Sequence, residues 1–297
     1  MQIGVVFPQT EIGDDVGGIK AFAEAADGLG YRHVVAYDHV LGADTRVHAN
    51  WDGPYDLSST FHEPLVLFGW LAGFTSLDFA TGILVGPQRQ TALVAKQAAE
   101  VDLLAGGGRL RLGLGIGWNR VEYEALGQSF GDRAARLEEQ VHLLRRLWTE
   151  ESVTFDGRFH TVNAAGLAPR PAAGGIPIWL GAMAPPALQR VGRVADGWFP
   201  QARPGAGLEE ALEIIAAAAR DAGRDPTAIG FEGQVLASTD PDRAGHHADR
   251  WRLAGASHLS VNTMAAGYRT VDDHILALAR LADALGVRQN GGRSGTG

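Results

Sequence analysis

The segment HVVAYDHVLG, residues 33–42, runs apolar through Val34, Val35 and Ala36 and then sets Asp38 and His39 side by side. An imidazole can give or take a proton near neutral pH, and an adjacent carboxylate can orient it or contact a ligand beside it. The pair can equally be a polar turn after a buried strand, so its meaning depends on where the chain carries it. Other chemistry-bearing residue types are sparse. With no cysteine in the chain, disulfides, thiolate metal sites and a cysteine nucleophile are all excluded. No H-E-x-x-H pattern occurs, His246 and His247 fall beside Asp249 in an expected surface helix, and His62 and His274 sit at expected helix starts, so no metal is expected. The only two lysines, Lys20 and Lys96, also fall in expected helices. That argues against a barrel isomerase or aldolase, which would need a strand-end lysine or glutamate base.

The elements that must position Asp38 and His39 follow from the hydrophobic pattern. Strand-length apolar runs occur at residues 3–7, 33–37, 79–85, 109–116, 176–181, 197–201, 229–237 and 258–262. Between and after them lie helical patterns at 17–30, 63–75, 91–104, 121–148, 185–195, 208–222, 243–254 and 271–285. Strict alternation predicts parallel strands covered by helices. Eight such units in about 250 residues fit a closed (β/α)8 TIM barrel better than an open doubly wound sheet. The expectation is one barrel domain over residues 1–287, with insertions at about 40–62 and 150–175. Residues 40–62 read as an irregular loop after the second strand. Residues 152–161, SVTFDGRFHT, read as a hairpin turning on Asp156-Gly157, and 288–297 as a disordered tail.

Composition narrows the function classes. A net charge of −8 argues against a general nucleic-acid binder, which needs a basic surface. No run approaches the roughly 18 apolar residues of a membrane span, and Met1 leads into QIGVVFPQ without a basic leader. A soluble, cytoplasmic protein acting on a small molecule is expected, with neither nucleic acid nor membrane as partner.

In such a barrel the strand C-termini surround the site. Besides Asp38 and His39, they carry Gln9, Gln88, Gly117, Trp118, Asn119, Gly181, Ala182, Met183 and Asn262. Glycine, amide and aromatic groups suit a large planar ligand better than a metal hydrolase. LGLGIGWN lacks the third glycine of a dinucleotide fingerprint. Its Gly115 and Gly117 either make room for neighbouring layers or let a flat ring approach the strand end. In WLGAMAPPALQ a strand ends at Gly181 and Pro185 or Pro186 opens a helix, whose free N–H groups are expected to favour phosphate. His48, Trp51, Tyr55 and Phe61 either close over a ligand or pack the 40–62 loop down.

Three segments together, AEAADGLGYRHVVAYDHV, TGILVGPQRQTALVAKQAAEVDLLAGGGRLRLGLGIGWNRVEYEALG and PIWLGAMAPPALQRVGRVADGW, resemble the luciferase-like flavin and deazaflavin oxidoreductases, nearly along the whole chain. Within that superfamily the chain is most similar to the branch using coenzyme F420, an 8-hydroxy-5-deazaflavin. The resemblance implies a (β/α)8 barrel with the tricyclic ring at its C-terminal mouth, and an Asp-His pair, here Asp38 and His39, beside that ring. It implies that His39 is a proton donor, acceptor or hydrogen-bond partner, with Asp38 orienting it or contacting the cofactor. It also implies a non-prolyl cis peptide at Gly82-Ile83, with Ile83 behind the ring, contacts from Gly117, Trp118 and Asn119, and a cofactor-binding turn at Gly181, Ala182 and Met183. Family members are often dimers, although no segment here identifies an interface. Two departures matter. Trp118 stands where some deazaflavin dehydrogenases have a glutamate acid, which argues against glucose-6-phosphate as substrate. Ala182, Met183 and Ala184 replace the glycine and hydroxyl residues that many relatives have, leaving phosphate binding there to the backbone. The leading expectation is hydride transfer between F420 and an unidentified organic substrate. The alternatives are an FMN-dependent monooxygenase or a non-catalytic flavin-binding protein.

Overall fold

The computed structural model describes residues 1–238 and 240–287, so the expected tail lies outside the described residues. The strands are β1 (Gln2–Val6), β2 (His33–Ala36), β3 (Asp78–Thr81), β4 (Leu84–Val85), β5 (Leu110–Gly115), β6 (Val153–Asp156), β7 (Thr161–Ala165), β8 (Ile178–Ala182), β9 (Gly197–Pro200), β10 (Gly230–Leu236) and β11 (His258–Asn262). The helices are α1 (Gln9–Ile12), α2 (Val16–Leu29), α3 (Pro64–Leu71), α4 (Thr91–Leu104), α5 (Arg120–Ala125), α6 (Arg133–Thr149), α7 (Pro185–Val194), α8 (Ala206–Asp221), α9 (Pro241–Leu253) and α10 (Val271–Leu285).

Eight parallel strands close on themselves in the order β1, β2, β3, β5, β8, β9, β10, β11, with β11 returning to β1 through Gln2↔His258 to Val6↔Asn262. This is the expected (β/α)8 barrel. Strands such as HVVA are buried at every residue because one face meets the barrel interior and the other meets helices. Between them pack the apolar faces of the helices, including the buried Phe22, Phe68, Leu144 and Leu281. No described helix is long and apolar enough to cross a membrane.

Besides adding the short helix α1, the structure departs from the expected elements in three places. The run at 79–85 is not one strand. Its peptide between Gly82 and Ile83 is cis, and β4 resumes beyond it, pairing Leu84↔Leu114 and Val85↔Gly115 with β5. The pattern at 121–148 is two helices, because Gly127 takes a left-handed φ of 66° that ends α5. In the hairpin, Asp156 pairs with Thr161 and the Gly157 N–H donates to the His160 carbonyl, so the turn follows Asp156 and the second strand runs on to Ala165. Glu139 of α6 pins that turn by accepting the N–H groups of Arg158, Phe159 and His160 at 2.7, 2.9 and 2.8 Å.

The lower end of the barrel is closed by a polar layer that the strand pattern does not announce. Glu232 contacts His33 Nε2 at 2.8 Å and Arg111 at 2.9 Å and accepts a hydrogen bond from Ser260, while the Arg111 guanidinium lies 4.5 Å over the Trp179 ring. Burial opposes the Glu232 charge, but His33 and Arg111 outweigh it and hold its pKa far below the glutamate range. His258 packs at 5.1 Å on Trp179 and 5.5 Å from His33, and burial, with Arg111 adding to it, holds its pKa down to about 3.

Between pH 6.5 and about 3, an unfolded His258 binds a proton that the folded one refuses, so stability falls as pH falls through that window. The expected contribution is up to about 1.4 kcal/mol per pH unit. Urea unfolding at pH 4, 5, 6 and 7 measures it, and His258→Gln should flatten the profile there. Parallel profiles for the two proteins would refute the assignment.

Candidate active site

The upper end of the barrel gathers the strand-end residues, and the backbone around the break in β3 shapes it. Gly82 and Ile83 are half-buried where their strand neighbours are buried, so the break presents them at the mouth. Three glycines seat this feature. A Cβ on Gly115 would lie 2.5 Å from Ile83 Cδ1, one on Gly181 3.1 Å from Ile83 Cγ2, and one on Gly117 2.7 Å from Val85 Cγ1. Gly117 also takes a φ of 61°. The space beside these glycines is therefore filled by Ile83 and Val85, and it is the half-buried Ile83 that faces the mouth.

Asp38 is almost fully buried and is committed elsewhere than to His39. Its carboxylate accepts the Val85 N–H at 2.9 Å and pairs with Arg89 Nη2 at 2.7 Å; Arg89 in turn pairs with Glu63 at 3.0 Å. Burial pushes the Asp38 carboxyl above its ordinary range, while Arg89 and the Val85 N–H pull it back. The expected orienting contact from Asp38 to His39 is replaced by an anchor that ties the end of β2 to β4.

The partner of His39 is a residue that the sequence reading passed over. His39 Nδ1 lies 3.2 Å from Glu122 Oε2, and Glu122 also accepts hydrogen bonds from Gln88 Nε2 and the Leu41 N–H, both at 3.1 Å, and from the Val40 N–H. Burial opposes the Glu122 charge, but the hydrogen bonds from His39, Gln88 and Leu41 prevail and hold its pKa below the ordinary glutamate range. A local signal existed. Asn119 followed by Glu122 has the spacing of a capping box. Only half of that box forms, with Asn119 Oδ1 accepting the Glu122 N–H at 3.2 Å, while the carboxylate reaches across to His39.

His39 is caged by aromatic rings, with centroids of Phe61, Trp118 and Tyr55 at 4.8, 5.2 and 5.5 Å. Its side chain is 11% exposed, and among the described residues no group meets Nε2, which is not enclosed. The 40–62 loop packs down to form this cage. Trp51 Nε1 donates to the Tyr55 carbonyl at 3.0 Å, the Trp51 ring lies 5.4 Å from Trp118, and Leu57 N–H donates to Ala43 O at 3.0 Å. His48 stands apart from His39, 6.4 Å from Trp51.

Of the remaining expected contacts, Trp118 is 36% exposed and at the mouth, whereas Asn119 is buried, with its amide nitrogen donating to Leu41 O at 3.0 Å. Asn119 is thus a helix cap and loop anchor, closed off from any ring. Ala182 is buried and accepts the Trp198 indole N–H at 2.9 Å, while Met183 is 74% exposed. Both line a groove of about 290 Å³ that continues to Gln201 and Glu210. The expected free N–H groups at the start of α7 are not there. Pro185 and Pro186 have none, and the Ala187 and Leu188 N–H groups donate to Ala184 O at 2.8 and 3.0 Å.

If Asp38 serves as an anchor, removing it leaves Arg89 and the Val85 N–H without their buried partner. Asp38→Ala should then lower the unfolding free energy by about 3 kcal/mol in urea titration. Unchanged stability would show that the anchor carries no weight.

Residues 1–289 match the model of one family, the luciferase-like monooxygenases. The F420-dependent hydroxymycolic acid dehydrogenase of Mycobacterium tuberculosis is 32% identical over 268 residues, which cover 86% of this chain and 68% of that one. The 5,10-methylenetetrahydromethanopterin reductase of Methanolobus tindarius is 32% identical over 169 residues, 57% of this chain and only 51% of the relative. Among solved structures, an F420-dependent secondary alcohol dehydrogenase in complex with an F420-acetone adduct superposes with a TM-score of 0.76 at 19% identity, covering 96% and 98% of the two chains. The monooxygenase RslO1 from Streptomyces bottropensis gives 0.70 at 22% identity, covering 94% and 98%. At these identities the structural likenesses bear on the fold, and they agree with the barrel. The family match spans both the strand-end site and the elements that hold it, and the chain belongs to the luciferase-like monooxygenase family of enzymes.

Proposed function

We propose that the protein is an oxidoreductase that transfers hydride between coenzyme F420 and a small organic substrate. The observation that carries this reading is His39 Nε2, which is not enclosed and which no described protein group meets, on the same strand-end face as the half-buried Ile83. The residues present fit a flat, largely apolar ring. Gly115 and Gly181 leave Ile83 room to lie across the strand ends as a floor, since a Cβ on either would crowd it. Trp118 and Met183 are exposed and available at the rim. When bound, the deazaflavin would supply a hydride donor or acceptor, the part of the chemistry that side chains cannot perform.

The chain's own residues do the rest. Ile83 would support one face of the ring and leave the other to substrate. The aromatic cage of Tyr55, Phe61 and Trp118 excludes water from the sides of His39. His39 Nε2 takes the proton that must leave when hydride is removed from a hydroxyl-bearing carbon, or returns it in the reverse direction. Two relatives named above act, by their names, on a hydroxylated acid and on secondary alcohols, which makes secondary alcohols the first substrates to try.

Fluorescence titration of the protein with oxidised F420 and, in parallel, with FMN tests the cofactor. Saturable binding of F420 with little response to FMN is expected; preference for FMN would move the protein to the monooxygenase reaction. His39→Gln should then slow F420 reduction by secondary alcohols by roughly 100-fold or more while changing the Kd for F420 by only a few-fold. Full activity in that variant would remove His39 from the reaction.

A further inference from the structure

The contacts of Glu122 leave His39 little choice of tautomer. Every described protein group that meets the two carboxylate oxygens is a donor or must act as one. Val40 N–H and Leu41 N–H approach Oε1, while Gln88 Nε2 at 3.1 Å and His39 Nδ1 at 3.2 Å approach Oε2. Two are backbone amides, which can only donate. An ionised carboxylate can only accept. If Nδ1 of a neutral His39 lacked its proton, its lone pair would face the Oε2 lone pairs, and the carboxylate would lose a donor while fully buried. The low-energy arrangement is Nδ1–H donating to Glu122, which leaves Nε2 as the basic nitrogen at the open mouth.

We propose that Glu122 is the positioning residue of the site: it fixes His39 as the Nδ1–H tautomer and aims an unprotonated Nε2 at the barrel mouth. Glu122 is well placed for this because its own position is fixed. It lies in the first turn of α5, held by the Asn119 cap, and its Oε1 is clamped by two consecutive backbone amides immediately after His39. The carboxylate therefore sets the imidazole's rotation as well as its tautomer. The Phe61 and Trp118 rings pack against the imidazole and oppose a flip. The consequence for catalysis rests on the proposed proton-transfer role of His39; the tautomer itself does not.

The test is nitrogen-15 NMR of the imidazoles in the cofactor-free protein, with His39 identified by the signal lost in His39→Gln. Recorded at a pH high enough for His39 to be neutral, the wild-type spectrum should show it with the proton on Nδ1 and a bare Nε2. Glu122→Gln is nearly isosteric, but its amide nitrogen can donate to Nδ1 and to a reoriented Gln88, whose Oε1 has no partner among the described residues of the wild type. The His39 signal should then reverse to the Nε2–H form. F420 reduction by a secondary alcohol should fall about 100-fold, with the Kd for F420 within about threefold. A wild-type His39 carrying its proton on Nε2 would overturn the proposal, whether or not the variant folds. So would a folded Glu122→Gln protein that keeps the Nδ1–H form. Reversal of the tautomer with undiminished F420 reduction would uphold the role of Glu122 and instead remove His39 from the proton path, so the two readings fail separately.

Discussion

A carboxylate buried in a protein must be met by donors on every side, and at the barrel mouth that requirement organises the site. Glu122 draws its donors from two different connections, the residues 39–41 that follow β2 and the Gln88 that follows β4, while itself standing on α5. None of these segments could shift by much without stranding the charge. The start of the long 40–62 loop is thereby fixed at its first residues, and the aromatic cage that the rest of the loop builds has a stable base. Asp38 does the same one residue earlier, through Val85 and Arg89. The Asp-His pair divides its labour: the acid holds the scaffold, and the imidazole is left to face the mouth.

The glycines near the mouth follow from the same close packing. A glycine at a strand end invites a ligand explanation, because the missing side chain leaves room for something. Here the occupants are protein atoms, Ile83 against Gly115 and Gly181, and Val85 against Gly117. The room that matters to a ligand is one layer further out, above Ile83. Backbone freedom enters at Gly117, whose positive φ turns the chain from β5 toward Trp118 and α5.

Buried charge serves a different purpose at the opposite end of the barrel. There Glu232 is closed in by His33, Arg111 and Ser260, with Trp179 and His258 completing the layer. These groups contact one another rather than an open space, as suits the lower face of a fold that keeps its chemistry at the strand C-termini. At the mouth, by contrast, the network ends on an imidazole nitrogen that no described protein group meets.

The sequence by itself determined the barrel, the order of its elements and the strand ends that face the mouth. Those features come from local period and from short stop signals, and both are written in consecutive residues. It also placed His39 at the end of β2, and the family resemblance pointed to the break at Gly82-Ile83. Only the tertiary structure decided which groups meet. His39 and Glu122 are 83 residues apart, and Asp38 and Arg89 are 51 apart. Their pairing depends on barrel closure, on the register of the strands beneath them and on which side chains lose water, none of which has a local period. The same limit explains Asn119, whose place after a strand suggested ligand contact until its burial showed a helix cap. It explains the start of α7 as well, where the amides expected to be free are occupied by a carbonyl one turn away.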